Sequence, residues 1–308
     1  MTTEEYAIVK EESGRRFHFR RKWLWGYLCI APYMIKFLVL ILGPFLASLY
    51  LSLSRWRMAG PIKYMGLANY ERMFMRDDRF VRTLLNTTYY TVFHLPVALV
   101  IAFILALLLN QQLRFNAVFR TVFYIPSVVS GVATAMLWRW IFTGDGLLNW
   151  FLSLFGIDGP IWLMDPDWAM PALILRSYWS VGGTMVIYLA GLQGIPEHLY
   201  EAARVDGAGI WHKFWHITVP MMTPTIFLTL LMGVIRSFQV FTTAFVMTAG
   251  GPGDATLFYL LYLYYKAFED MAMGYASALA WVLFVIIMIL TAVQMRLAKR
   301  WVYYEGAR

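Results

Sequence analysis

The chain has 308 residues, 60% of them hydrophobic and only 14% charged, with 26 Lys and Arg against 18 Asp and Glu and a formal charge of +8. A soluble domain carries about 25% charged residues. Here the apolar excess falls in blocks of about 20 residues, the length that crosses about 30 Å of hydrocarbon, so the positive charge reads as membrane topology and not as nucleic-acid binding.

In chain order, residues 1–22 form a basic tail with six Lys/Arg. The first predicted span, 25–51, holds the single Cys29, so neither an intramolecular disulfide nor a cysteine-based zinc cluster is available. Its apolar run is too long for a cleaved signal peptide and lacks a small-residue cleavage pattern. The loop 54–85 carries seven Lys/Arg and contains NYERMFMRDDRFVRTLLN, which reads as an amphipathic helix along the interface. Further spans are predicted at 86–109, 123–141, 172–192, 225–247 and 276–295, with a tail from 296 to 308. The expected fold is therefore an all-α membrane protein of six transmembrane helices, one domain over 23–295, in the cell (inner or plasma) membrane.

Lys/Arg counts set the orientation. With both termini inside, 14 lie on the cytoplasmic side and nine on the other. The basic 54–85 loop opposes this assignment, and the basic N-terminus dominates it. Ala98, Ala102 and Ala106 recur every four residues, as do Ala276 and Ala280, and make ridges for close helix contact. Well inside the predicted spans the ionisable acid–base residues are Lys36, His94, Arg176 and Arg236, and no Asp or Glu lies within any span. Ion-driven carriers hold their coupling ion with buried carboxylates, which counts against a secondary transporter. The arginines face either a polar cavity or, by snorkelling, the interface. No GxxxxGK[ST], HExxH or GxSxG motif is present. His212 and His216 stand four apart, but nothing nearby completes a metal site.

The loop 193–224 is the most informative. It contains YEAARVDGAGIWHKFWHITVPMMTP over 200–224. Pro196 suits a helix start, Glu197 and Glu201 suit its dipole, and Gly207 and Gly209 end it. About 12 residues make a short helix, of the kind that docks in a groove of another protein or lies on the membrane. Pro220 and Pro224 then break the chain before the fifth span.

This stretch resembles the EAA loop of binding-protein-dependent ABC transporter permeases. The match runs Glu201-Ala202-Ala203, three residues, Gly207, nine residues, Ile217, one residue, Val219-Pro220, with Val where Leu is usual. FRTVFYIPSVVSGVATAMLWRWIF, GLLNWFLSLFG, GGPG at 250–253 and MGYASALAWVLFVIIMI are similar to the sugar permeases of the maltose and glycerol-3-phosphate type. The resemblance implies a non-catalytic subunit of an ATP-driven importer of a sugar, oligosaccharide or sugar phosphate. It implies a second, homologous permease subunit, an ATP-binding subunit dimer and an extracytoplasmic solute-binding protein as partners. ATP and Mg would then sit on the ATPase, with no cofactor on this chain. By the same resemblance Glu201, Ala202, Ala203, Asp206, Gly207, Ile217 and Pro220 form the coupling surface on a cytoplasmic loop between helices 4 and 5. The substrate path would include Arg176, Trp179, Ser180, Gly183, Arg236, Ser237 and Gln239. Many members carry Asp in an FQVFD-like stretch where this chain has FQVFT, with Thr242. The rival readings are an ion-coupled secondary transporter and a membrane-embedded sensor or assembly subunit.

Overall fold

The computed structural model describes residues 23–111 and 114–303; the basic tail 1–22 and the last five residues of the C-terminal tail lie outside them. α1 (Trp23–Ser52) leads into a two-residue antiparallel ladder of β1 (Ser54–Arg55) and β2 (Lys63–Tyr64). The rest is helical. α2 (Ala68–Met75) precedes the long α3 (Asp78–Asn110), then come α4 (Asn116–Val128), α5 (Gly131–Ile141) and α6 (Leu147–Ser153). α7 (Pro166–Tyr178), α8 (Gly182–Gln193), α9 (Glu197–Val205) and α10 (Ile210–Ser237) follow. The chain ends with α11 (Thr242–Met247), α12 (Tyr259–Tyr264) and α13 (Met273–Trp301).

The expected six spans are not found. Four helices among the described residues are long and apolar enough to cross a membrane: α1, α3, α10 and α13. A fifth arises if α4 and α5 count as one span, although they meet at 96°. That bend falls where Pro126 precedes Val129 and Ser130 in extended backbone and Gly131 restarts the helix. The predicted span 172–192 is instead two helices of 13 and 12 residues, α7 and α8, parted at Trp179–Val181. The reason is close packing. A Cβ on Gly182 would stand 2.1 Å from the carbonyl oxygen of Phe123, so α8 can lie against α4 only with glycine there. Glycine in turn weakens a continuous helix. An apolar run measures length and hydropathy, and these breaks change neither.

Three boundaries also move. The interfacial helix expected through 69–86 divides at Arg76. Asp77 caps a new helix by accepting from the Phe80 amide at 3.3 Å, and DDRFVRTLLN becomes the first turns of α3. α10 begins at Ile210 and ends at Ser237, so Pro220 and Pro224 do not break the chain. A π turn over Phe214–Thr218, closed by the Val219 amide on the Phe214 carbonyl, makes room for the Pro220 ring. The Thr223 hydroxyl donates to the Pro220 carbonyl at 2.7 Å, the group that Pro224 leaves without an amide partner.

The bundle has two ends. α1 runs antiparallel to α13: Phe45 and Ser48 meet Trp281, and further along Ser54 meets Gly274. At the other end of α13 the Tyr303 amide donates to Thr223 and Trp301 packs on Phe227. Both the start of α1 and the end of α13 therefore lie at the end of the bundle that holds the 193–224 loop. The alanine ridge works as expected. Ala98, Ala102 and Ala106 are buried against Val181, Met185, Tyr188 and Leu192 around α8. A second core, nearer the far end, gathers Phe142, Leu173, Phe258, Tyr259 and Leu279.

Candidate functional site

The loop end is built around α9. Pro196 stands at its N-cap, one place before the position expected, and the helix has nine residues. Its end is a Schellman turn. Gly207 adopts φ +74°, its amide donates to Arg204, and the Ala208 amide reaches back to Ala203 at 2.8 Å. The left-handed φ explains glycine at this position. The Tyr200 hydroxyl and that of Thr218 meet at 3.0 Å and tie α9 to α10.

What remains is an open surface. Glu201, Ala202, Asp206 and Gly207 are exposed, and Ala203, Ile217 and Pro220 are half-buried. Val205 and Ile210, at 89% and 84% exposure, are the most exposed large apolar side chains among the described residues, and Trp211 beside them is 76% exposed. The His212 and His216 rings stack at 3.9 Å, and no group of three or more His, Cys, Asp or Glu among the described residues is placed to hold a metal.

Between the helices lies a cavity of about 610 Å³, walled by α3, α7, α8, α10 and the stretch that follows α10. Of the predicted path residues, Arg176, Ser180, Arg236 and Ser237 line it, as does Thr242. Trp179, Gly183 and Gln239 do not. Trp179 is turned edge-on to Trp138 at 5.4 Å, Gly183 faces Ser127, and the exposed Gln239 follows the end of α10. The cavity adds residues that were not expected on the path, notably Tyr90 and His94 on α3. His94 Nδ1 lies 2.7 Å from the Ser177 hydroxyl, and its ring packs between those of Tyr90 and Tyr178. His94 was visible in the sequence as an intramembrane ionisable group; the α3 face it shares with Tyr90 was not tied to α7 by any motif.

The far end is closed by a polar cap. Asp77 Oδ2 accepts from the Tyr262 hydroxyl at 2.5 Å and from the Tyr275 hydroxyl, joining α3, α12 and α13. Burial pushes the Asp77 carboxyl up, but the hydrogen bonds from Tyr262, Tyr275 and the Phe80 amide, with the nearby Lys266 ammonium, outweigh it and hold the group below its ordinary range. Asn86 donates to the carbonyls of Asp254 and Leu257, and Arg79 pairs with Asp254 at 3.0 Å. The GGPG turn is thereby strapped to α3. Part of the puzzling basic charge of 54–85 is spent here, and Arg72 lies over the Tyr275 ring.

Residues 75–303 match the family model described as "Binding-protein-dependent transport system inner membrane component". The chain is 42% identical over 304 residues, 97% of each chain, to the "Probable ABC transporter permease protein YesP" of Bacillus subtilis (strain 168). It is 36% identical to the "Lactose transport system permease protein LacF" of Rhizobium radiobacter, over 89% of this chain and 94% of that one. Its fold is similar to a chain in the structure of a bacterial ABC transporter involved in the import of the acidic polysaccharide alginate, with a TM-score of 0.81 at 24% identity, covering 92% of this chain and 97% of that chain. The chain thus belongs to the binding-protein-dependent transport family as a multi-pass inner membrane component, a non-catalytic permease subunit of an ABC transporter.

Proposed function

We propose that this permease imports a carbohydrate, that the cavity beside α10 forms its half of the pathway, and that α9 is the helix through which a separate ATPase acts. The exposed loop end carries this reading. Val205, Ile210 and Trp211 present apolar surface to solvent beside Glu201 and Asp206. Apolar side chains left uncovered at such exposure are a mark of a protein-docking surface. The Schellman turn at Gly207 fixes α9 as a rigid knob, and Tyr200–Thr218 links it to α10, whose other end carries Arg236 and Ser237 on the cavity wall. A push on α9 is thus delivered to a helix that lines the path.

In this reading the loop end faces the cytoplasm, and an ATP-binding subunit dimer takes one such knob from each of two permease subunits. A solute-binding protein delivers the cargo at the far end. Glu201 supplies the charged contact, Ala202 and Ala203 the close one, and Ile217 and Pro220 brace the loop behind. Hydroxyls and aromatic rings around the cavity suit a sugar, whose faces are apolar and whose rim is polar. The relative named for lactose supports the same class. The absence of Asp and Glu among the cavity-lining residues speaks against ion coupling.

Site-directed crosslinking tests the assignment. Cys29 is replaced by Ser, a single cysteine is placed at Ala202, and the chain is assembled with its second permease and an ATPase carrying single cysteines along its surface groove. A crosslink whose yield changes with ATP is the expected result. An intact complex without a crosslink at Ala202 or its neighbours refutes α9 as the coupling element.

A further inference from the structure

The cavity is charged on one side of the ledger only. Arg176 enters it from the last turn of α7 and Arg236 from the last turn of α10. No Asp or Glu is among its lining residues, and neither arginine takes part in an ion pair among the described residues. The Nε of Arg176 is buried and has no hydrogen-bond partner. A guanidinium cannot lose its proton to escape this situation. Half-buried without an anion, Arg176 is unfavourable, and an anion entering the cavity would remove that cost; Arg236 is exposed and adds its charge without such a cost. The remaining wall carries no negative charge: hydroxyls from Ser180, Thr229 and Thr242 are set among apolar side chains such as Leu99, Ile187 and Phe241. His94 is no counter-ion, since an imidazole is either neutral or cationic.

We propose that the cavity selects an anionic saccharide, whose carboxylate or phosphate oxygens are held by Arg176 and Arg236. This rests on the reading of the cavity as the substrate path. The guanidinium is planar and presents paired N–H groups, which match two oxygens of such an anion. Two arginines from different helices also make the anion a link between α7 and α10, so that bound cargo and helix position depend on each other. The hydroxyls meet the sugar, and the arginines read its charge.

The experiment uses the purified complex of this chain with its second permease and ATPase, in nanodiscs. Three probes are titrated: a galacturonic acid disaccharide, its dimethyl ester, and trehalose 6-phosphate. The acid is expected to bind about tenfold or more tightly than the ester, the difference that charged hydrogen bonds supply. Arg236→Gln and Arg176→Gln should each bring the acid-to-ester ratio toward one, and Arg236→Lys should keep part of it. The phosphate probe tells the sources apart: tighter binding than the uronate assigns phosphate, weaker binding assigns carboxylate. The proposal is overturned if the ester binds as well as the acid, if no charged probe binds at millimolar concentration, or if the Gln variants weaken acid and ester alike. The last result would make the arginines structural. These outcomes are separate from failure of the coupling assignment. The ATP-dependent crosslink at Ala202 does not depend on which sugar fills the cavity, so a complex that crosslinks and prefers the ester loses this inference alone.

Discussion

The two ends of the bundle are both polar, and they are built in opposite ways. At the far end a set of polar groups is used inside the chain. Asp77 takes two tyrosine hydroxyls and a backbone amide, Asn86 takes two carbonyls, and Thr87 accepts from the Tyr259 amide at 3.0 Å. At the loop end Glu201 and Asp206 form no ion pair among the described residues, and the largest nearby apolar side chains point into solvent. A surface that satisfies itself holds a fold together. One that does not satisfy itself is available to a partner. Stability and coupling are therefore expected to separate cleanly between the ends, and substitutions can test that separation.

The largest effect on transport should come from the loop end, with the least effect on the fold. Glu201→Lys is expected to lower uptake by more than about tenfold, while the melting temperature of the isolated chain hardly moves. Exposed substitutions of this kind shift stability by about 0.5 kcal/mol or less. Uptake and the melting midpoint are measured on the same preparations. Unchanged uptake at normal expression would remove Glu201 from the coupling surface. Gly207→Val should act similarly through geometry, because a β-branched residue is strained at φ +74° and the turn that presents Val205 and Ile210 would shift.

The far end should answer in the opposite sense. Asp77→Ala removes the acceptor of two hydroxyls and an N-cap, and is expected to lower stability by about 2 kcal/mol, with uptake falling only as folded protein is lost. The same group gives a pH signature. Its folded value is depressed below the ordinary 3.8, so its contribution is fully present above that value and is lost as pH falls through the folded value. The wild-type melting temperature should therefore drop more steeply than that of Asp77→Asn below about pH 4, and the two curves should run parallel above it. Parallel curves throughout would show that the carboxylate charge is not what the tyrosines hold.

The same contrast explains what could be read from the sequence. The loop end was legible because its chemistry is local: Glu201, Gly207 and Pro220 lie within 20 residues, and a turn that needs a left-handed residue prints a glycine. The alanine ridge of α3 was legible for the same reason, being a period along one helix. The far-end cap was not, since Asp77 is separated by 185 residues from Tyr262 and by 198 from Tyr275, and no window contains both partners. The Asn86 strut was hidden for the same reason, its partners Asp254 and Leu257 lying 168 and 171 residues away. The six-span count failed at Gly182 and at Ser130, where tertiary contact and local backbone bend the chain inside runs that are uniformly apolar. Of the residues expected on the path, Arg176 and Arg236 stand out in the sequence by their charge, and both line the cavity. Trp179 and Gln239 were named as neighbours in sequence, and the helix ends turn them away from the cavity.

Within the far end the contrast can be sharpened further, because its ties differ in depth. Asn86→Ala leaves the carbonyls of Asp254 and Leu257 without their partner in a half-buried place, and should cost about 1 to 2 kcal/mol. Arg79→Ala breaks a 3.0 Å ion pair, but the arginine side chain is 63% exposed. Water and salt screen such a pair, and its net contribution is about 0 to 1 kcal/mol. The expected order in melting temperature is Asp77→Ala lowest, then Asn86→Ala, then Arg79→Ala close to wild type. Added salt should erase the small Arg79 difference and leave the other two. If Arg79→Ala were instead as damaging as Asp77→Ala at high salt, the GGPG turn would be held by its charge and not by the half-buried Asn86 amide, and short hydrogen bonds would give way to long-range pairing across α3 as what holds this end.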